Sequence, residues 1–197
     1  MGPAGRAAWE DLVNRLLLAA SVDRVLKPGH AIPDFVLPNA EGRLVASDTL
    51  LARGPLVLTF YRGEWCPYCS LMLDALEEAL PEIAAAGGQL VALSPETGGL
   101  ALQVKRERGL NYEILSDIDS GVALSFGVAF RMPDAYRQGM LRAGIDLARR
   151  HGNDGWFVPI PASFIIDRTG LIREVFADAD FTRRAEPDAI VAALKRL

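Results

Sequence analysis

The sequence predicts an α/β fold: a central mixed sheet with helices on both faces. Three observations predict it. Half of the 197 residues are hydrophobic, which suffices for one full core without a disulfide staple. Near-continuous apolar runs of strand length, Leu56 to Tyr61 and Gln89 to Ser94, read as strands buried on both faces. Those runs alternate with stretches of helical spacing, and a hairpin and a last helix close the chain, which is the pattern of a layered α/β domain.

The elements follow in order. Residues 6 to 26 carry a broken apolar stripe interrupted by Glu10, Asp11, Arg15, Asp23 and Arg24, the mark of an amphipathic helix. Residues 1–29 are therefore read as an N-terminal helical extension and residues 30–197 as the domain. Pro28-Gly29 and Pro33 punctuate the connection. Phe35 to Leu37 and Arg43 to Ala46, split by Asn39-Ala40-Glu41-Gly42, form a short hairpin. After the first buried strand, Leu71, Leu73, Leu76 and Leu80 recur at helical spacing. Leu100 to Arg108 is a helix closed by Gly109, and Tyr112 to Leu115 a further strand. Between Met132 and Trp156, Tyr136, Met140, Ala143 and Leu147 predict a helical insertion ahead of the last hairpin, a candidate for dimerisation. Ser163 to Asp167 and Leu171 to Phe176 flank the turn Arg168-Thr169-Gly170. Pro187 opens the last helix at the position proline favours.

Composition excludes several classes. A net charge of −4 with interspersed signs gives no footprint for nucleic acid or an anionic membrane. The apolar run Leu16 to Ala20 is far short of the ~20 residues that span a bilayer, and its charged surroundings do not resemble a signal peptide. Met1-Gly2 is followed by Arg6 where myristoylation requires Ser or Thr. The expected setting is cytoplasmic, where a Cys-x-x-Cys pair is catalytic or metal-binding more often than structural.

The only two cysteines stand in Trp65-Cys66-Pro67-Tyr68-Cys69, directly after a buried strand and before a helix. Pro67 suits the first helical position, which places Cys66 at the helix start and Cys69 one turn on, on the same face. The unpaired N–H groups and positive dipole end favour a thiolate there. Arg62 adds positive charge and Glu64 opposes it. A zinc site would need two more ligands, and only His30 and His151 are at hand outside the pair. A structural disulfide closing so short a loop would constrain little. A strand, then Cys-x-x-Cys, then a helix reads as a thioredoxin-like redox site, with no cofactor or metal.

The segment Phe60-Tyr61-Arg62-Gly63-Glu64-Trp65-Cys66-Pro67-Tyr68-Cys69 resembles the active-site segment of peroxiredoxin-like proteins in the alkyl hydroperoxide reductase / thiol-specific antioxidant superfamily. Ala92-Leu93-Ser94-Pro95-Glu96, Leu115-Ser116-Asp117 and Pro161 to Asp167 with Gly170 extend the resemblance from about Pro33 to Phe176. It implies a thioredoxin fold with an N-terminal extension. The peroxiredoxin pattern Pro-x-x-x-Thr-x-x-Cys, laid on this sequence, puts Arg62 at the proline, Cys66 at the threonine and Cys69 at the peroxide-attacking cysteine. The family's arginine falls on Pro161. Read as a thioredoxin, Trp65-Cys66 and Cys69 match the motif, Pro67-Tyr68 matches glutaredoxins, and Pro161 falls where that fold places a cis-proline.

The resemblance implies two chemistries within one redox class. In dithiol–disulfide exchange, Cys66 is the more exposed, attacking sulfur and Cys69 the resolving one, with Trp65, Pro67, Tyr68, Pro161 and Arg62 at the substrate. In peroxide reduction either cysteine forms a sulfenic acid and the other condenses with it, and Arg62 stabilises charge on the peroxide oxygens. The expected partners are a protein or low-molecular-weight disulfide or peroxide and a cellular thiol reductant. A non-enzymatic sensor or scaffold on the same fold is the reading from another class. Trp156 is expected to cover the pocket or to fill core.

Overall fold

A computed structural model describes residues 3–97 and 99–197; Met1-Gly2, the start tested against the myristoylation pattern, lies outside the described residues. In chain order the elements are α1 (Pro3–Leu18), β1 (Val36–Pro38), β2 (Leu44–Ala46), α2 (Ser47–Arg53), β3 (Leu56–Phe60), α3 (Pro67–Glu78), α4 (Leu80–Ala85), β4 (Gln89–Ser94) and α5 (Leu100–Arg108). There follow β5 (Glu113–Ser116), α6 (Gly121–Ser125), β6 (Ala129–Arg131), α7 (Asp134–Arg142), α8 (Leu147–His151), β7 (Phe157–Pro159), β8 (Ala162–Ile166), β9 (Ile172–Ala177) and α9 (Pro187–Leu194). A short 3-10 turn, Ser21–Arg24, follows α1.

Five strands form the central sheet in the order β5-β4-β3-β8-β9. The pairs β3–β4 and β4–β5 are parallel, whereas β3–β8 and β8–β9 are antiparallel. All five residues of β3 are buried, as its unbroken apolar run requires of a central strand covered on both sides. Alternate residues feed two cores. Val57, Leu90, Ala92, Ile114 and Ile165 meet Leu73 and Leu76 of α3, Ile83 of α4, Val104 of α5 and Ile190 and Leu194 of α9. Leu56, Leu58, Phe60, Val91, Leu93 and Phe164 meet Leu50 of α2 and Val122 and Ala123 of α6 on the other face.

A third apolar cluster lies outside the sheet. It joins Leu12 and Leu16 of α1 to Met132, Met140, Leu147, Trp156 and Val158, and to Ala179 and Phe181 beyond β9. The N-terminal segment and the insertion thus share one small core, in which Met132, Met140, Leu147 and Trp156 are buried while Leu141 faces outward. Trp156 fills that core at 1% exposure, with its indole N–H on Asp154 Oδ1 at 2.9 Å.

Three expectations are corrected. The insertion is two short helices rather than one: Gly144 adopts φ +80° and the Ile145 N–H returns to the Met140 carbonyl at 2.8 Å, closing α7. Asp146 then caps α8. The periodic run ending at Leu80 spans two helices, because Pro81 starts a new one and cannot continue the old. Pro161 follows a trans bond, since no cis peptide occurs among the described residues. The short β7 pairs with β6, and the Ile160 N–H adds a bond to the Val128 carbonyl at 2.7 Å, so the chain is held by backbone bonds up to the residue before Pro161.

Candidate active site

β3 ends at Phe60, and residues 61–66 form a tight loop that delivers the cysteines. Gly63 takes φ +134°, and a Cβ there would lie 2.6 Å from the Trp65 indole nitrogen and 2.8 Å from Glu96. Only glycine fits. The Trp65 indole N–H donates to the Arg62 carbonyl at 3.1 Å, and the Glu64 N–H donates to Glu96 Oε2 at 2.9 Å. Glu96, buried beyond the end of β4, is paired with Arg150 at 3.0 Å, which also takes Glu64 at 3.3 Å. The Glu64 charge is thereby drawn toward Arg150.

Cys66 is the residue before the first turn of α3, with extended backbone (φ −100°, ψ 108°), and Pro67 opens the helix. The N–H groups of Cys69 and Ser70 both reach the Cys66 carbonyl, at 2.9 and 3.1 Å. No disulfide joins the two sulfurs in this structure. Exposure hardly separates them, at 2% for Cys66 and 0% for Cys69, so the expectation that Cys66 stands out by exposure is corrected. Electrostatics separates them instead. The facing Cys69 side chain first, then the Arg62 charge and more weakly that of Arg184, hold the Cys66 thiol well below the usual range despite burial. Burial and then the facing Cys66 side chain push the Cys69 thiol up.

The two arginines approach from different parts of the chain. Arg62 is 2% exposed; its guanidinium lies between the Trp65 ring at 4.6 Å and the Phe181 ring at 4.1 Å, a geometry worth about 0.5–2 kcal/mol per contact. Its Nε has no hydrogen-bond partner among the described residues. Arg184, from the segment between β9 and α9, donates Nε–H to the Phe181 carbonyl at 2.6 Å and reaches Cys69 Sγ and Met72 Sδ, each at 3.5 Å. Neither arginine pairs with a carboxylate among the described residues.

The expected site residues converge in large part. Trp65 and Tyr68 are half-buried against the third cluster, with the Tyr68 ring edge-on to Phe181 at 6.1 Å, while Pro67 is exposed. Pro161 is buried and lines a cleft of about 310 Å³ with Met72, Ser163, Phe176 and Arg184. Glu96, Phe181 and Arg184 were missed. Glu96 lies in a matched segment yet carries no local sign of its tie to the loop. Arg184 stands 115 positions from Cys69 in a charged stretch that reads as a solvated loop.

Residues 28–175, most of the chain, match the model of the AhpC/TSA family. The chain belongs to that family, and with it to the thiol-based redox enzymes. A Mycobacterium tuberculosis protein assigned to the peroxiredoxins is 25% identical over 173 residues, covering 87% of this chain and 98% of its own length. A Coxiella burnetii protein, likewise assigned, is 25% identical over 151 residues, 77% of this chain and 88% of that protein. Among solved structures, peroxidoxin BcpB from Mycobacterium tuberculosis gives a TM-score of 0.70 at 24% identity, over 87% of this chain and 98% of that one. Peroxiredoxin Q of Xanthomonas campestris gives 0.66 at 17% identity, over 87% and 96%. The fold is therefore of the thioredoxin type. No described helix is long and apolar enough to cross a membrane.

Proposed function

We propose that the protein is a thiol–disulfide oxidoreductase in which Cys66 attacks and Cys69 resolves. The observation that carries this reading is the asymmetry of the pair. Cys66 stands before the first turn of α3 while Cys69 lies one turn deeper and fully buried. The facing Cys69 side chain and the Arg62 charge favour the thiolate on Cys66 over Cys69. In the first step the Cys66 thiolate attacks one sulfur of a substrate disulfide, forming a mixed disulfide and expelling the other half as a thiolate. That thiolate takes the Cys69 proton. The Cys69 thiolate then attacks Cys66 Sγ, closing the Cys66–Cys69 disulfide and releasing the second half as a thiolate. The protein dithiol loses two electrons and the substrate gains them; a cellular thiol reductant restores the dithiol. Trp65, Pro67 and Tyr68 border the attacking sulfur and Pro161 the adjoining cleft, which supports substrate contacts for all four. Residues 1–29 are taken as an N-terminal extension to the domain of residues 30–197, a reading supported by Leu12 and Leu16 of α1 sharing a cluster with Phe181, and the setting is cytoplasmic, where thiols are held reduced.

A second reading is favoured by family membership and by the peroxiredoxin names of the relatives. Here the Cys66 thiolate attacks a peroxide oxygen, the O–O bond breaks, and the departing hydroxide or alkoxide takes a proton from solvent to leave as water or an alcohol. The Cys66 sulfenic acid then condenses with the Cys69 thiol to the same disulfide and water. Arg62 stabilises the developing oxygen charge.

One experiment divides the readings. Reduced wild type, Cys66→Ser and Cys69→Ser are mixed with stoichiometric hydrogen peroxide, and sulfenic acid is trapped and followed by intact mass. Exchange predicts oxidation over minutes or longer, with ready reduction of a protein disulfide by wild type. Sulfenic acid forming within seconds on Cys69→Ser would install the peroxidase reading with Cys66 as its nucleophile. Fast sulfenic acid on Cys66→Ser instead would overturn the assignment of Cys66 as the attacking sulfur.

A further inference from the structure

The resolving cysteine has an electrostatic problem. Cys69 is fully buried, receives the Arg62 N–H at 3.4 Å, and must become an anion before it can close the disulfide. A thiolate with no cation beside it in an apolar interior is strongly disfavoured. The Arg62 guanidinium is engaged elsewhere, held between Trp65 and Phe181, and it acts more strongly on Cys66 than Arg184 does. For Cys69 the order is reversed, with Arg184 the stronger of the two.

Arg184 is placed for this task by three contacts. Its Nε–H is fixed on the Phe181 carbonyl at 2.6 Å, so the planar guanidinium is aimed before any substrate arrives. One terminal nitrogen rests on Met72 Sδ and the other on Cys69 Sγ, each at 3.5 Å. With no carboxylate partner among the described residues, its charge is not neutralised by a neighbour. It also lines the cleft that holds Pro161 and Ser163, so it touches both the sulfur and the space beside it.

We infer that Arg184 is a catalytic residue of the resolving half-reaction: its guanidinium stabilises the Cys69 thiolate as that sulfur attacks the Cys66 mixed disulfide. The inference rests on the exchange reading above. Its atoms balance without a further reactant. The Cys69 proton goes to the departing first thiolate, the Cys69 electron pair forms the new S–S bond, and the Cys66–substrate bond breaks to release the second thiolate. Arg184 keeps its own proton throughout, since a guanidinium does not deprotonate in proteins. Arg62 and Arg184 thus divide the labour, one serving each sulfur.

Dithiodipyridine tests this directly, because this neutral disulfide releases one chromophoric thiopyridone on attack and a second on resolution. Stopped-flow traces of reduced wild type should show both. Arg184→Gln should slow the second phase by about tenfold or more, as loss of a charge-assisted bond implies, and the first phase several-fold less, because Arg184 acts on Cys66 only weakly. Intact mass should then find the mixed disulfide accumulated on Cys66. Arg184→Lys keeps a cation near Cys69 and should recover most of the second phase, a rescue that a purely structural role would not give. Equal slowing of both phases in Arg184→Gln, or an unchanged second phase, would overturn the inference. Failure of the parent reading looks different: Cys66→Ser would retain the fast first phase and Cys69→Ser would lack it, and the inference would fall with that reading.

Discussion

Two walls face each other across the dithiol, and they are built differently. The floor is the loop 61–66 and the first turn of α3, a contiguous stretch whose geometry follows from local chemistry: Gly63 at positive φ, Pro67 at the helix start, two cysteines three positions apart. The roof is assembled from afar. Phe181 and Arg184 arrive from beyond β9, and Asp180 between β9 and α9 accepts the Trp9 indole N–H of α1 at 3.3 Å, a contact across 171 positions. The floor supplies the nucleophile and the Arg62 charge beside it, and the roof supplies the ring that holds Arg62 and the cation that touches Cys69.

Removing the inner edge of the roof should have the largest effect. Phe181→Ala takes one stacking face from Arg62 and opens the third cluster, at a cost of about 3 kcal/mol in stability. The Cys66 thiolate titration, followed by ultraviolet absorbance, should move toward the ordinary thiol range. A stability loss with no movement of that titration would reduce the roof to plain packing and break the comparison.

The floor is probed by pH. An ordinary thiol near pKa 8.5 loses reactivity about tenfold per pH unit as pH falls below that value. The depressed Cys66 value predicts alkylation of the reduced protein that holds steady through the neutral range and falls only in acid. The sign carries over to stability. A thiol whose folded-state value lies below its unfolded one stabilises the fold above pH ~8.5, and this contribution is lost as pH falls through the folded-state value. The stability difference between reduced wild type and Cys66→Ser, measured by denaturant, should therefore shrink toward acid pH. A difference that stays flat would place the thiolate elsewhere.

The outer edge of the roof should matter least. Trp9→Phe deletes the bond to Asp180 while keeping an aromatic ring, so stability should fall by about 1 kcal/mol by thermal melting. Alkylation of the reduced protein should not change. A marked loss of thiol reactivity would extend the functional part of the roof to α1.

What was legible follows the same division. β3, β4 and α5 were readable because buried central strands and a glycine-closed helix are written into contiguous residues. Cys66 and Cys69 were readable for the same reason: strand, motif and helix are adjacent. Arg184 was not, because nothing within several residues of it indicates a sulfur 115 positions upstream. The short α2 and α6 escaped notice since their burial comes from packing on the sheet rather than from a long periodic pattern. The Pro161 geometry was not legible, because the bond before a proline takes either form and only a resemblance to thioredoxins pointed to cis.

The distance in sequence between Cys69 and Arg184 also sets a schedule for the newborn chain. At roughly 5–20 residues per second on the ribosome, the 115 positions between them take about 6–23 s to synthesise. During that interval both sulfurs are already made, while the Phe181 ring and the Arg184 guanidinium are not. The thiols of a nascent chain are thus closer to ordinary ones, slow to react with passing oxidants. Arming of the dithiol waits for the segment between β9 and α9, so a chain synthesised only as far as β9 carries the motif without its full reactivity.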